Sequence, residues 1–517
     1  MNKEYDFPSI AIITFTDARE EGISNDAVEN HLRKKQGELR TLLEENNISV
    51  IDPLENFRSA DSSVYGIRSI KEVDAVCRVL QTCSRVDAVI IGAWTWSPPM
   101  FIREFIRKFP RPLLYYTEND PFSGSLSQMT ASSAGLLEWG VNKFAAKHER
   151  NFGNKDDLLK WVRGVSAVSR MGESALLLWG GSYAVKMDHL QDDYTLLKNK
   201  FIREVLFEDQ YILIQKAEKI RMEEKERINS FISWIKEKGL TVIPDEKMVT
   251  EKALSKQSAL LLAARDRLEE LSDENICGVS IKCQHEIYSG YGVNACTLPA
   301  FLPFPENENG KQQIYPTVCE GDTKGLLTAV LLHMIKPGVP PAFGDIVSVE
   351  DDCIEFANCG AGSLFWAANS GNSEESFPRV QARANIHGNS GAAFHYYGVP
   401  AGKITLARLT RINGNYYMQI GVGEELDSRK ILNERLGKNE PAHLAGTWGV
   451  VTINLNTDKD LFVKTFGANH LSVTLGDVSK EIEAACLLWD VPVIRMDSKE
   501  SMKHFYTSVR MRGKYNG

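Results

Sequence analysis

The sequence holds no pair of cysteines in a C-x-x-C arrangement. Its nine cysteines (77, 83, 277, 283, 296, 319, 353, 359 and 486) form an odd, scattered set. That pattern suggests neither a disulfide framework nor a thiolate zinc site, and it fits a reducing, cytoplasmic setting. No G-x-G-x-x-G follows the first predicted strand and no P-loop occurs anywhere, so no nucleotide cofactor is implied. No apolar run approaches membrane-spanning length. The opening run in MNKEYDFPSIAIITF is too short for a signal-peptide core with its cleavage site and reads as a first strand. Positive charge is not in excess: 60 Lys and Arg stand against 68 Asp and Glu, for a formal charge of −8. That balance offers no electrostatic invitation to nucleic acid or to an anionic membrane, which leaves small neutral or polar ligands as the default. Repeats of solenoid period and low-complexity linkers are missing as well.

What is present is an ordinary globular composition, 43% hydrophobic and 25% charged, in a chain of 517 residues. That length exceeds one hydrophobic core and predicts roughly two to four domains. From Ser9, strands alternate with helices: IAIITF, a helix from Asp26 to Glu45, ISVID, a helix from Ile70 to Cys83, DAVIIGAW, a helix near Phe101, and PLLYYT. A second alternating unit starts near Ala175 with ALLLWGGSY. It continues through helices at Tyr194 to Lys200 and Tyr211 to Lys238, TVIPD, a helix from Glu251 to Leu271, and CGVSIKCQ. Strand–helix alternation predicts parallel sheets with helices on both faces, whose ligands sit at the carboxyl ends of strands. Asp17, Arg19, Trp94, Trp96 and Gln284 occupy such ends. From Asp345 the texture turns to short strands and glycines, with a hairpin signal at Asn413-Gly414. LFVKTF reads as one of these strands, and a helix after Asp477 with a last strand closes the chain. The expected fold is therefore α/β: two Rossmann-like doubly wound domains, residues 1–173 and 174–344, followed by a β-rich, barrel-like domain over 345–517.

The stretch CEGDTKGLLTAVLLHMIKPGVPPAFGDIV, Cys319 to Val347, offers two carboxylates at element ends. Asp322 and Thr323 can cap a helix that begins beside Glu320 and stops before Pro337, and Asp345 opens the strand that follows. Boundary acids are also common for bland reasons, a helix macrodipole or a Gly-Asp turn. His470 lies in a predicted tight turn, Gly467-Ala468-Asn469, after LFVKTF; imidazole has many uses besides ligation. Asn469 has an amide suited to sugar hydroxyls.

In order along the chain, SIAIITFTDAREEGI, WTWSPP, WGGSYAVKM, IKCQ, CEGDTKGLLTAVLLHMI, FGDIV, NCG, GKITLARL and GANHLSVTLGD resemble the motifs of the L-fucose isomerase and L-arabinose isomerase superfamily. The resemblance spans Ser9 to Asp497. It implies Glu320, Asp345 and His470 as ligands of one divalent metal, Mn²⁺ first and Mg²⁺ or Co²⁺ as substitutes. Two carboxylates with one imidazole independently suit such an ion. It further implies aldose–ketose isomerisation through an enediolate, with Glu320 and Asp345 as the catalytic acid/base pair. Arg19, Trp94, Gln284, Trp448 and Asn469 would be the substrate contacts, in a pocket completed by a neighbouring subunit of a homo-oligomer, commonly a hexamer. The substrate would be an L-fucose- or arabinose-like sugar. Lys186, where the family pattern is more neutral, opens the way to an anionic hexose such as a sulfonated one. His395 and Tyr396 are further candidates with core or interface use as the alternative, and 371–389 match nothing in the pattern. The competing classes are a noncatalytic sugar-binding or regulatory protein on the same fold, and a metal-assisted aldol cleavage.

Overall fold

Ser9–Thr14, Ala88–Gly92 and Leu113–Thr117 are buried along their whole length, as strands covered on both faces are. In the computed structural model, which describes residues 7–18, 26–58, 63–120, 123–140, 148–182, 184–385, 388, 390–431 and 449–515, these three runs are β1, β3 and β4. With β2 (Ser49–Ile51) and β5 (His148–Phe152) they form an all-parallel sheet of order β2-β1-β3-β4-β5. The sheet lies in a unit made of Asp6–Arg170 with Glu483–Leu488. Its helices include Asp26–Glu45 and Ile70–Gln81, the latter capped by Ser69, whose hydroxyl accepts from the Glu72 amide.

The other unit, Met171–Ile482 with Trp489–Gly517, holds a second parallel sheet and an antiparallel barrel. Its strands in chain order are β6 (Ala175–Trp179), β7 (Glu204–Glu208), β8 (Thr241–Val242), β9 (Ile276–Ile281), the small hairpin β10 (Glu306–Asn307) and β11 (Gly310–Lys311), β12 (Thr317–Cys319), β13 (Ala342–Val349), β14 (Cys353–Asn358), β15 (Gln381–Ala384), β16 (Ala392–Tyr397), β17 (Gly402–Ile412), β18 (Asn415–Leu426), β19 (Gly449–Asn454), β20 (His470–Leu475) and β21 (Val493–Arg495). The sheet runs β12-β9-β6-β7. Six strands close a barrel, β13-β14-β19-β18-β17-β20 and back to β13, with every pair antiparallel. Closure leaves the six without a free edge. Asn413 and Gly414 have φ of 50° and 79°, the two positive values that a tight two-residue hairpin turn requires, and they fix the β17/β18 register at Ile412 opposite Asn415. Among the described residues no helix is long and apolar enough to cross a membrane.

Several local expectations are corrected. LFVKTF is helical up to Thr465 in the helix Lys459–Thr465, because the Asp458 carboxylate accepts from the Leu461 amide and Phe462 faces inward while Val463 is exposed. The predicted long helix from Tyr211 to Lys238 is two, Tyr211–Glu223 and Lys225–Glu237, broken where Glu224 leaves helical dihedrals. TVIPD does not enter the second sheet; β8 pairs with β15 instead. The fourth strand of that sheet is β7, whose charged ends concealed it in the sequence. Asp345 is interior to β13, which starts at Ala342, and so sits in a ladder rather than at a strand end.

One buried acid carries a prediction about stability. Glu425 on β18 is 3% exposed. Burial pushes its carboxyl up to about 8, opposed only in part by a hydrogen bond from Asn369 Nδ2 at 3.3 Å. Folding therefore holds a proton that the unfolded chain releases near its ordinary value, and stability falls as pH rises from about 4.5 to about 8. Glu425→Gln is expected to remove that slope, so its thermal-midpoint gain over the wild type widens across the window. A gain that is the same at pH 5 and pH 8 would contradict this assignment.

Candidate functional site

Antiparallel pairing of β13 with β20 sets Asp345 directly opposite His470. Glu320 reaches the same place from the end of β12, where it adopts φ 65° and Gly321 adopts φ 70°. A left-handed glutamate is uncommon and costs on the order of 1–3 kcal/mol, as strained residues at functional sites do. A Cβ at Gly321 would lie 2.6 Å from the Gly181 carbonyl oxygen, so the turn closes against the 181–182 backbone only with glycine there. The Glu320 carbonyl in turn accepts from the Ala184 amide at 3.3 Å.

His470 is 1% exposed and its two ring nitrogens face different partners. Nδ1 lies 2.8 Å from Asp322 Oδ2, so Nδ1–H donates to that carboxylate. Nε2 faces Glu320 Oε2 at 3.3 Å and Asp345 Oδ1 at 3.5 Å, yet it makes no aligned hydrogen bond and is otherwise a buried orphan. Burial alone would lower the imidazole, but Asp322, Glu320 and Asp345 outweigh it and push His470 up to about 9. The Asp345 carboxyl is raised by burial and by Glu320, with His470 opposing.

Asp322 performs three tasks. It caps the helix Thr323–Ile335 by accepting from the Gly325 amide at 2.8 Å, as expected from the sequence. It accepts both Arg408 guanidinium branches, at 2.5 and 3.1 Å, in a pair with side chains 1% and 0% exposed. It also orients His470. Burial works against its ionisation, but Arg408 and then His470 outweigh that and hold it well below the usual carboxylate range. Gly325 makes the arrangement possible, since a Cβ there would meet Arg408 Nη1 at 2.7 Å and Asp322 Oδ2 at 2.8 Å.

Asn469 continues the network. Its Nδ2 donates to Asp345 Oδ1 at 2.7 Å, which leaves its Oδ1 to accept from His189 Nε2–H at 2.7 Å. Asn469 thus holds Asp345 in place. Gln284, half-buried, follows the end of β9, the strand beside β12. Trp94 belongs to the other unit, where its Nε1–H donates to Gln36 and it lines a cavity with His31, Lys35, Glu118 and Asp120. Tyr396 is committed to the core, its hydroxyl donating to the Ser363 carbonyl at 2.8 Å, and His395 is buried with its ring edge-on to Tyr397. Arg19 and Trp448 lie outside the described residues.

Sequence reading gave Asp322 only the cap and overlooked Arg408 and His189. Arg408 had a signal, a lone arginine on an inward position of the apolar strand GKITLARL, which calls for a buried anion. His189 had none. The three-donor set of one imidazole and two carboxylates fits a divalent cation: the negative groups that stabilise an imidazolium at the orphaned Nε2 would equally stabilise a metal there.

Residues 356–497 match the model of the L-fucose isomerase C-terminal domain. The matched stretch takes in barrel strands β17, β18, β19 and β20 and the end of β14, so this part of the chain is similar to that domain. Curated relatives extend the likeness beyond it. The chain is 22% identical to a sulfoquinovose isomerase of Alkalicoccus urumqiensis over 426 residues, 80% of this chain and 86% of the relative. It is 22% identical to sulfoquinovose isomerases of Priestia aryabhattai and Priestia megaterium over 365 residues, 66% of this chain and 73% of each relative. The protein is thus a distant homologue of these fucose isomerase-like enzymes. His470 and Asn469 lie within the matched L-fucose isomerase domain, while Glu320 and Asp345 precede it.

Proposed function

We propose that this protein is a divalent-metal-dependent aldose–ketose isomerase whose preferred substrate is a sulfonated hexose, with L-fucose- and arabinose-like sugars as the other candidates. The observation that carries the reading is the orphaned His470 Nε2, held by Asp322 from behind and facing Glu320 and Asp345. Glu320, Asp345 and His470 would hold the metal, Mn²⁺ before Mg²⁺ or Co²⁺. When bound, the cation supplies Lewis-acid stabilisation of the negative charge that develops on the sugar oxygens. Glu320 and Asp345 exchange protons with the open-chain sugar. One carboxylate takes the proton from C2, a proton is delivered to C1, and the hydroxyl proton passes from O2 to O1, so the carbonyl moves from C1 to C2. In the reverse direction the two carboxyl groups swap roles. Asn469 keeps Asp345 aimed by donating to Oδ1, the oxygen that also faces His470 Nε2.

The sulfonated substrate is supported by the sulfoquinovose isomerase relatives and by Lys186. This lysine is exposed, two residues after Ala184, whose amide donates to the Glu320 carbonyl, and next to Met187, whose sulfur contacts Asn469 Nδ2 at 3.8 Å. Trp94 enters the proposal through a homo-oligomer, a hexamer by the resemblance, in which a neighbouring subunit completes the pocket.

The test is ketose formation from sulfoquinovose, L-fucose, L-arabinose and D-arabinose by the Mn²⁺-loaded protein, with deuterium exchange from solvent at C2 followed by NMR. Exchange and turnover of one of them are expected; no exchange with metal bound would defeat the isomerase reading. Lys186→Met is expected to raise KM for the sulfonated sugar about tenfold, the value of one exposed charge-assisted contact, and to leave neutral sugars unaffected. An equal change for both would remove Lys186 from anion recognition.

A further inference from the structure

The scattered cysteines converge beside Glu320. Cys319 ends β12, Cys359 follows β14, and their sulfur atoms and one Glu320 carboxylate oxygen all lie within 4.8 Å of one another. Cys296 packs its sulfur against Gly360, so tightly that a Cβ there would lie 2.2 Å away. Cys283 follows the end of β9, whose Ile281 pairs with Cys319. The four thiols lie within electrostatic reach of one another, and Asn358 Nδ2 donates to Cys319 Sγ at 3.5 Å. Among the described residues no cysteine is in a disulfide.

We propose that Cys319, Cys359 and Glu320 form a second cation site, for a thiophilic d¹⁰ ion of the zinc class, with Cys283 and Cys296 as neighbouring thiols. Two thiolates with one carboxylate select zinc or cadmium over manganese or magnesium, whereas the imidazole and two carboxylates next door prefer the harder ions. Each thiol gives its S–H proton to solvent as its sulfur–metal bond forms, so binding releases two protons and involves no change of oxidation state. The two donor sets share Glu320. An ion on the sulfur side therefore takes an oxygen of the carboxylate that the hard-ion side uses, which makes zinc an antagonist of that side. Binding itself does not depend on the isomerase reading.

Cadmium titration of the reduced, metal-free, full-length protein tests the site, because cadmium–thiolate bonds add an ultraviolet charge-transfer band. The wild type is expected to show the band saturating at one equivalent, with two protons released per ion, and zinc should displace it. Cys359→Ser and Cys359→Ala are each expected to weaken cadmium binding at least about tenfold, the scale of losing a metal donor, with far-ultraviolet circular dichroism confirming that they fold. Cys83→Ser, in the Asp6–Arg170 unit, and His470→Gln should keep the band. Absence of the band in the wild type would overturn the proposal, as would its survival in both Cys359 variants. Its loss in His470→Gln would move the ion to the histidine side and overturn it too. An inactive protein with an intact band would instead count against the isomerase reading alone.

Discussion

Glu320→Gln is expected to lower turnover by on the order of 10³-fold while leaving the circular dichroism spectrum and thermal midpoint close to those of the wild type. Glutamine has the same shape, so it can occupy the buried position at φ 65° and keep the backbone bond to Ala184. It cannot accept a proton from C2, and its neutral amide is a poorer ligand for a hard cation than a carboxylate. The two losses are separable. Titration calorimetry with Mn²⁺ reads the ligand role, and C2 deuterium exchange at saturating metal reads the proton transfer. Activity within a few-fold of the wild type at saturating Mn²⁺ would remove Glu320 from the chemistry, whatever its part in holding metal.

The second large effect is expected at Asp322, which touches neither sugar nor metal in this scheme and acts through His470. Asp322→Asn keeps a capping oxygen for the Gly325 amide but leaves the Arg408 guanidinium, with its side chain 1% exposed, without its counter-charge. Breaking a buried pair by removing one partner costs about 3–5 kcal/mol, which urea denaturation would register directly. The imidazole also loses the anion that fixes Nδ1–H and aims Nε2 at Glu320 and Asp345, so Mn²⁺ affinity should fall about 10–100-fold. Combining Asp322→Asn with Arg408→Met removes the stranded cation and is expected to regain most of the stability, with the metal affinity still low. If stability and affinity recover together, Asp322 serves the fold alone and has no part in orienting His470.

These two residues mark how far the sequence was legible. Parallel sheets announce themselves because their strands are buried on both faces: AVIIG, LLYY and ALLLW are apolar or aromatic without interruption. The barrel hairpin was equally plain from Asn413-Gly414, since few other dipeptides tolerate two positive φ values. The local errors fell where one short run satisfies two periods. LFVKTF alternates well enough for a strand, and only the Asp458 cap decides for a helix. EVLFE, with a glutamate at each end, was passed over though it completes the second sheet.

At the site, the residue types were within reach of sequence reasoning and their partnerships were not. Glu320, Asp345, His470 and Asn469 carry chemistry in their identities, and the ordered motifs grouped them. That Asp322 is the anchor of both Arg408 and His470, that Asn469 bridges His189 to Asp345, and that Cys319 and Cys359 share Glu320's surroundings all follow from contacts between residues far apart in the chain. Such contacts are set by strand register, by closure of the six-stranded barrel, by Gly321, which lets backbone approach backbone, and by Gly325, which leaves room for the Arg408–Asp322 pair. Propensity and periodicity are local quantities and determine which segments become strands and helices; which ends of those segments meet is a property of packing, and only the tertiary structure decides it.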